Sequence, residues 1–263
     1  MKNSIIIITL LNVTIFGQSN HNSELFNIFE YRNFSPHRVG SWISDIAVPE
    51  TNNSDHKYTF YISGRHGGVW KTINNGSSFK QIFDGYGTSS IGAIEVANSN
   101  PNTIWVGTGE ASNARSTHAG NGIYKSIDSG KTFKFMGLAD SHHIPKIIIH
   151  PKNENIIYVA VMGHLFSKNK MRGVFKSIDG GDSWKKVLYI NQQTGVIDLV
   201  INRDNPNILY AATYDKIRYP WHLEAGGSNS GIYKSVDGGD NWDRLSGGLP
   251  YGNIGRIGLD IYR

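Results

Sequence analysis

Four copies of one twelve-residue unit constrain this chain more than any other feature. The unit appears as Gly68-Val-Trp-Lys-Thr-Ile-Asn-Asn-Gly-Ser-Ser-Phe79 and as Gly122-Ile-Tyr-Lys-Ser-Ile-Asp-Ser-Gly-Lys-Thr-Phe133. It returns as Gly173-Val-Phe-Lys-Ser-Ile-Asp-Gly-Gly-Asp-Ser-Trp184 and as Gly231-Ile-Tyr-Lys-Ser-Val-Asp-Gly-Gly-Asp-Asn-Trp242. Each copy opens as a strand, passes through a tight turn where Gly takes positive φ, and ends on an aromatic that begins a return strand. An Asp or Asn oxygen in such a turn accepts hydrogen bonds from the N–H groups just ahead of it. Thr72, Ser126, Ser177 and Ser235 mark the same position at intervals of 54, 51 and 58 residues. A repeat of that length built from short strands is the signature of a propeller blade. Lys71, Lys125, Lys176 and Lys234 recur in step as well; read locally, they are solvated strand positions.

The stretches between the units supply the remaining strands. Ile144-Pro-Lys-Ile-Ile-Ile149 and Ile156-Ile-Tyr-Val-Ala160 flank one turn, and similar pairs flank the turns at 98–102 and 202–207. Each of these turns holds a proline, whose missing N–H costs no ladder bond there. The fold class expected is therefore all-β: a β-propeller of four-stranded antiparallel blades at about residues 41–83, 90–137, 144–189 and 195–246. Gly255-Arg-Ile-Gly-Leu-Asp-Ile-Tyr-Arg263 reads as the first strand of a fifth blade (254–263), which makes the chain the N-terminal part of a larger propeller. The alternative is a compact four-blade ring whose last strand docks on the N-terminal region.

A charged start, an apolar run from Ser4 to Phe16 and then Gly17-Gln18-Ser19 describe a secretory signal peptide over residues 1–18. Residues 19–34 form a lead-in segment, and the propeller spans 35–263. The apolar run is short for a membrane span, and no integral span is expected after signal removal. Localisation is thus secreted, periplasmic or at a bacterial cell surface. The chain has no cysteine, which excludes disulfides and thiolate metal sites. The net charge of +5 is scattered without a basic run, so no nucleic-acid partner is expected.

The four units resemble Asp-boxes, also called BNR repeats, as found in sialidases, xyloglucanase-type glycoside hydrolases, the sortilin propeller and a photosystem II assembly factor. The finer pattern is similar to large exported bacterial propellers of sortilin-like or glycosyl-hydrolase-like type. Gly68-Val-Trp-Lys71, Gly107-Thr-Gly-Glu110, Asp140-Ser-His-His143 and Gly255-Arg-Ile-Gly258 carry that closer match. The resemblance implies that Asn74, Asp128, Asp179 and Asp237 are structural turn caps on outer hairpins. The first unit departs from the pattern with Asn74 for Asp, and the fourth carries Asn241 where a hydroxyl residue is usual.

Chemistry in such a fold sits where loops from several blades converge. The loops 107–121, 162–172 and 213–230 and the segment Asp140-Ser-His-His143 carry the charged and aromatic residues. Glu110, Arg115, His143, Arg218, Trp221 and Arg256 are the candidate ligand-binding residues, suited to a protein, peptide or glycan partner: aromatics stack, while Arg and Glu make oriented hydrogen bonds. Glycoside hydrolysis is the alternative. It needs two carboxyl groups ~5 to ~9.5 Å apart, for which Glu110 and Glu224 are the candidates. The resemblance speaks against it, since His66 stands where xyloglucanase-type enzymes carry a catalytic Asp. No cofactor is expected. The ten histidines show no ligand spacing, and adjacent His142 and His143 on a strand would point to opposite faces, so no metal site is expected.

Overall fold

The computed structural model describes residues 42–50, 54–112, 117–250 and 252–262, all within the compact unit Ser35–Arg263. The expected signal peptide and lead-in segment lie outside the described residues. Blade 1 comprises β1 (Ile43–Ala47), β2 (Phe60–Gly64), β3 (Gly68–Thr72) and β4 (Lys80–Gln81), and blade 2 comprises β5 (Ile91–Ala97), β6 (Asn100–Thr108), β7 (Ile123–Ser126) and β8 (Lys134–Phe135). Blade 3 holds β9 (Lys146–Ile149), β10 (Ile157–Val161), β11 (Gly173–Ser177) and β12 (Lys185–Leu188). Blade 4 holds β13 (Thr194–Ile201), β14 (Leu209–Arg218), β16 (Gly231–Ser235) and β17 (Asp243–Arg244), with β15 (Leu223–Ala225) added on β14. Every pairing is antiparallel and follows chain order within each blade. The innermost strands β1, β5, β9 and β13 lie side by side in succession, giving the propeller arrangement.

The core is a series of interfaces between consecutive blades rather than one central mass. Tyr61, Val69 and Phe83 of the first blade region pack with Ile94, Ile104 and Phe133 of the second. Trp105 and Ile123 of blade 2 pack with Ile147, Val159 and Phe175 of blade 3. Tyr158 and Val174 of blade 3 pack with Leu199, Leu209 and Ala211 of blade 4. A strand such as β10 is therefore buried on both faces, and its sequence is a continuous apolar run instead of an alternating one.

The register sets two distinct ends. In blade 1, Gly64 pairs with Gly68 and Phe60 with Thr72, so the 65–67 turn and the repeat turn after Thr72 lie at opposite ends of the strands. The same holds in every blade. One end, the mouth, carries the β2–β3, β6–β7, β10–β11 and β14–β16 connections. The other carries the four repeat turns.

Each repeat turn closes by the same bonds. Ser126 Oγ donates to Asp128 Oδ1 at 2.7 Å and accepts from Gly130 N at 2.9 Å, while Thr132 N donates to Asp128 Oδ1 at 2.9 Å. Asp179 receives Ser177 Oγ at 2.8 Å and Ser183 N at 2.9 Å. Asp237 receives Ser235 Oγ at 2.8 Å, Asn241 N at 3.0 Å and, in place of a hydroxyl, Asn241 Nδ2 at 2.8 Å. Asn74 accepts from Thr72 Oγ1 and Ser78 N, both at 2.9 Å, and its own Nδ2 donates to Ser78 Oγ at 2.8 Å. The bonds from Thr132 hold the Asp128 carboxyl down at about 2, and those from Ser183 hold Asp179 at about 2. Asp237 is lowered too, first by the Asn241 N–H.

Three of the recurring lysines, Lys71, Lys125 and Lys176, are not simply solvated positions, because their partners lie in the next blade; Lys234 lies over Tyr210 of its own blade. Lys71 Nζ donates to Ser129 O at 3.0 Å, Lys125 Nζ to Gly180 O at 3.2 Å, and Lys176 Nζ to Asp240 Oδ1 at 2.9 Å. Each crosses an aromatic of its own blade on the way: Tyr61, Trp105 and Tyr158, with Nζ 5.6, 5.2 and 5.7 Å from the ring centres. The repeat turns dock on these aromatics. Trp184 Nε1 also donates back across the interface to Met136 O at 2.7 Å.

Near the inner strands a second inter-blade bond recurs. Asp45 Oδ2 accepts from Ile94 N at 3.1 Å, and Asp198 Oδ2 accepts from Leu259 N at 2.8 Å. Residues 252–262 form no strand and join the rest of the sheet structure by one bridge, Gly227 to Ile254, while Ile257 and Leu259 pack against Ile197, Ala212 and Tyr214. The fifth-blade strand expected there thus lies beside β13 without a ladder among the described residues. The stretch 213–230, expected to be a loop, is instead mostly the β14–β15 hairpin.

Two outcomes follow. Folded Asp128 and Asp179 titrate near 2 against an ordinary value of 3.8, so their stabilisation is complete above about pH 4 and is lost as pH falls towards 2. Thermal melts between pH 6 and 2 should show Tm falling across that window, and a D128N/D179N/D237N chain, with Asn in every turn as at Asn74, should show a shallower fall. An identical slope would mean these turns do not govern acid stability. Separately, Gly181 sits at φ +96°, and a Cβ added there would stand only 2.4 Å from Trp105 Cη2, whereas at Gly180 (φ +73°) the nearest atom would be 3.2 Å away. Gly181→Ala should lower Tm clearly more than Gly180→Ala, since both carry the roughly 1–2 kcal/mol left-handed penalty and only the first also displaces the Trp105 interface.

Candidate functional site

The mouth is built around a buried ion pair. Arg65, in the β2–β3 turn, places Nε 3.2 Å from Glu110 Oε1; the two side chains are 7% and 0% exposed. The approach is a close charge contact without an aligned hydrogen bond, and Arg65 Nη2 is buried with no hydrogen-bond partner among the described residues. The guanidinium carbon lies 4.8 Å from the ring centre of Trp42. Glu110 has further partners: Thr117 Oγ1 donates to Oε1 at 2.9 Å and Ser112 N to Oε2 at 2.7 Å. Burial works against the charge of Glu110, but the Thr117 and Ser112 bonds and the Arg65 charge together outweigh it and hold the carboxyl below its ordinary value.

His143 is buried behind this pair. Its Nδ1 lies 2.9 Å from Glu110 O, and since a carbonyl only accepts, Nδ1 carries the proton. Burial pushes His143 down to about 4, so the ring is neutral in ordinary buffers. In the same region, the rings of His66 and His118 meet with centres 4.5 Å apart. His66 is lowered by burial, then by the neighbouring His118 and Arg65 charges. Ser90 ties the two halves of the β6–β7 connection together: its Oγ accepts from Glu110 N at 3.0 Å and donates to His118 O at 2.8 Å.

A second cluster stands on blade 4. β14 runs on past its neighbours to Arg218, and Tyr219 N donates to His222 O at 2.7 Å to close the turn into β15. Tyr219 and Trp221 stack at that tip, with ring centres 5.8 Å apart and planes 16° apart, and Trp221 is 82% exposed. With Phe166 and Arg218 they line an open cleft of about 710 Å³. Arg218 N donates to Leu165 O at 2.8 Å, which joins this hairpin to the β10–β11 loop, and Arg218 Nη1 is buried without a hydrogen-bond partner among the described residues. Glu224 accepts from Gln193 Nε2. Asp215 is buried and accepts from Thr194 Oγ1 and, at 3.0 Å, from Asn229 N.

Lys216, which no sequence motif marks, feels charges from both clusters. It is buried on β14 and brought down to about 8 by burial and then by the Arg256 and Arg218 charges, while Glu110 pulls the other way. Those four charges therefore share one electrostatic environment. Of the candidate binding residues, the fold gathers Glu110 and His143 in one network and Arg218 and Trp221 in another, with exposed Arg256 acting on Lys216 between them. Arg115 lies outside the described residues. Sequence reasoning misses Arg65, Thr117 and Lys216 because each acquires its meaning only from a partner in another segment.

No protein-family model matches the chain, and no curated protein matches it. Solved structures do. An ancestral GH74 enzyme is 25% identical with a TM-score of 0.59, covering 79% of this chain and 24% of that one. The GH74 xyloglucanase of Xanthomonas campestris is 15% identical with a TM-score of 0.58, covering 80% of this chain and 31% of that one. The extracellular domain of a one-component system of B. thetaiotaomicron is 14% identical with a TM-score of 0.51, covering 77% of this chain and 22% of that one. The chain thus spans less than a third of the length of each of these proteins. Among the described residues no helix is long and apolar enough to cross a membrane.

The Arg65–Glu110 contact yields a stability outcome. Glu110→Gln leaves a buried guanidinium without its counter-charge and should cost about 3–5 kcal/mol in urea unfolding, with part of the loss restored when Arg65→Met is added. A Glu110→Gln chain as stable as its parent would show that the pair does not organise the mouth.

Proposed function

We propose that this chain forms part of an exported propeller of the Asp-box, sortilin-like type that recognises a glycan, or an extended peptide of a protein partner, at its mouth. The observation that carries the reading is the stacked Tyr219–Trp221 pair at the rim of an open cleft beside Arg218, on the face where Glu110 and His143 form a buried scaffold. Flat exposed aromatics next to a guanidinium suit the faces of sugar rings and the planes of peptide groups. The likeness to an ancestral GH74 enzyme supports a glycan over a peptide. The repeated turns supply rigidity, and the export reading rests on the apolar segment from Ser4 to Phe16.

Glycoside hydrolysis through Glu110 and Glu224 receives less support. The partners of Glu110 favour its ionised form, which excludes it as the general acid and would leave that role to Glu224, a side chain bonded to Gln193. At the place of the xyloglucanase-type catalytic Asp stands His66, which packs on His118.

Titration with xyloglucan oligosaccharides, followed by tryptophan fluorescence and calorimetry, tests the proposal. Trp221→Ala should weaken binding by about tenfold, in keeping with the ~0.5–1.5 kcal/mol of an aromatic stack plus its buried area, while leaving Tm unchanged because Trp221 is exposed. Binding that is insensitive to Trp221→Ala and to Arg218→Ala would move the site elsewhere. Release of reducing ends that disappears in Glu224→Gln, which leaves the Arg65–Glu110 pair intact, would replace recognition by catalysis.

A further inference from the structure

Beside the mouth network lies a side-chain cluster that the recognition reading does not use. The connector between β8 and β9 contains a single helical turn, Ala139–Ser141, and His142 directly follows it. His164 stands in the β10–β11 loop. The fold brings one donor atom from each of Asp140, His142 and His164 within 4.8 Å of one another. His164 Nε2 is 2.7 Å and His142 Nε2 is 3.7 Å from Asp140 Oδ1. Three ligand atoms each about 2.1 Å from one cation would stand about 3–3.5 Å apart, and the observed spacings straddle that range.

We propose that Asp140, His142 and His164 bind a first-row divalent transition cation such as Zn²⁺. The donor chemistry selects this class: two imidazole nitrogens and one carboxylate suit a borderline cation, whereas Ca²⁺ and Mg²⁺ take oxygen ligands. His142 and His143 lie after a helical turn rather than on the expected strand, and His143 turns inward to Glu110 O, so the second imidazole comes from twenty-two residues along the chain rather than from the neighbour. With only three protein ligands, positions stay open to water or to an oxygen of a ligand at the mouth.

Two independent features point the same way. His142 has φ 55° and ψ −43°, a conformation that a residue with a Cβ adopts at a cost of about 1–3 kcal/mol and that surrounding structure must enforce. The enforcement is visible: Gly120 N donates to His142 O at 2.7 Å, and a Cβ on Gly109 would stand 1.7 Å from that same oxygen. The backbone is thus pinned in the strained form that turns the His142 ring onto His164, the two rings lying nearly parallel with centres 3.6 Å apart. Second, His164 is oriented from behind. Its Nδ1 lies 3.2 Å from Ser167 Oγ and its carbonyl accepts from Arg172 Nη2 at 2.5 Å, a second layer of contacts that leaves Nε2 directed at Asp140. Entry of the cation requires one imidazole to rotate out of the parallel stack, since a metal lies in the plane of the ring that binds it. The site would then clamp the blade 2–3 connector to the β10–β11 loop.

The test uses the tag-free chain, stripped with a chelator and titrated with Zn²⁺ by calorimetry and with Co²⁺ by visible absorption. One equivalent should bind, with Co²⁺ d–d bands of imidazole–carboxylate ligation and a Zn²⁺-dependent rise in Tm. His164→Gln should weaken binding by about tenfold or more. His142→Gly separates ligation from folding, because glycine accepts the positive φ: this chain should melt no lower than the metal-free parent, yet lose both the bands and the Zn²⁺-dependent rise. Absence of stoichiometric binding by the parent, or equal binding by His164→Gln and His142→Gly, would overturn the assignment.

Discussion

The structure depends on one contact made between blades: a lysine of the third strand passes over an aromatic of the second and ends on the repeat turn of the next blade. A single four-stranded sheet with apolar residues on both faces cannot be stable in water; it must be covered on each side. Stacking sheets would satisfy that need at many offsets. The Lys125 ammonium at Gly180 O, with its stem across Trp105, specifies one. The same geometry recurs from Lys71 to Ser129 and from Lys176 to Asp240. Each turn must present a carbonyl or carboxylate at a fixed height, which explains why the Asp-to-backbone bonds that shape the turn recur with it. The apolar stem and charged tip of lysine serve both layers at once.

Pinning one end of every blade leaves the other end free to differ. Nearer the axis, the carboxylate of Asp45 reaches Ile94 N and that of Asp198 reaches Leu259 N, while the corresponding place in blade 3 is held by Lys146. The charges facing the axis are therefore mixed. Glu95, lying in the cavity lined also by Lys146, Arg203 and Asp260, is pushed up to about 7 mainly by burial, with Lys146 opposing. That cavity and the mouth are separate places on the molecule: Asn98, Pro151 and Tyr262 line the first, near the end that carries the turns.

How far the chain could be read without its fold follows from the range of each interaction. The strands and turns of the four units rest on bonds that span two to four residues, such as Ser177 to Asp179 to Ser183, so their period is visible in the text of the sequence. The recurring lysines were legible as a pattern but not as contacts, since Lys125 meets a residue fifty-five positions ahead. The β14–β15 hairpin was hidden by Pro220 and by polar residues that suggest a loop; the Tyr219 to His222 bond accommodates that proline in the turn itself. The mouth was legible only as a set of loops. Nothing near Glu110 announces Arg65, and nothing near His142 announces His164.

That contrast has a physical basis. Where the four blades are alike, the residues serve stacking, because stacking poses the same problem four times. Where they differ, the constraint has been lifted and a residue kept there at energetic cost requires another reason. Arg65 and Glu110 are buried as charges, which a pair of apolar side chains would avoid. His142 is held at a strained φ by the close approach of Gly109 and Gly120. Trp221 is exposed where a polar residue would cost nothing. The repeat turns have departures of their own, Asn75 and Ser129 at positive φ and the exposed Ile73, Ile127, Ile178 and Val236, but the apolar ones recur in all four turns and so belong to the repeat. The Arg65–Glu110 pair, His142 and Trp221 occur once each and lie at the mouth end, which is the end that the repeats leave unconstrained.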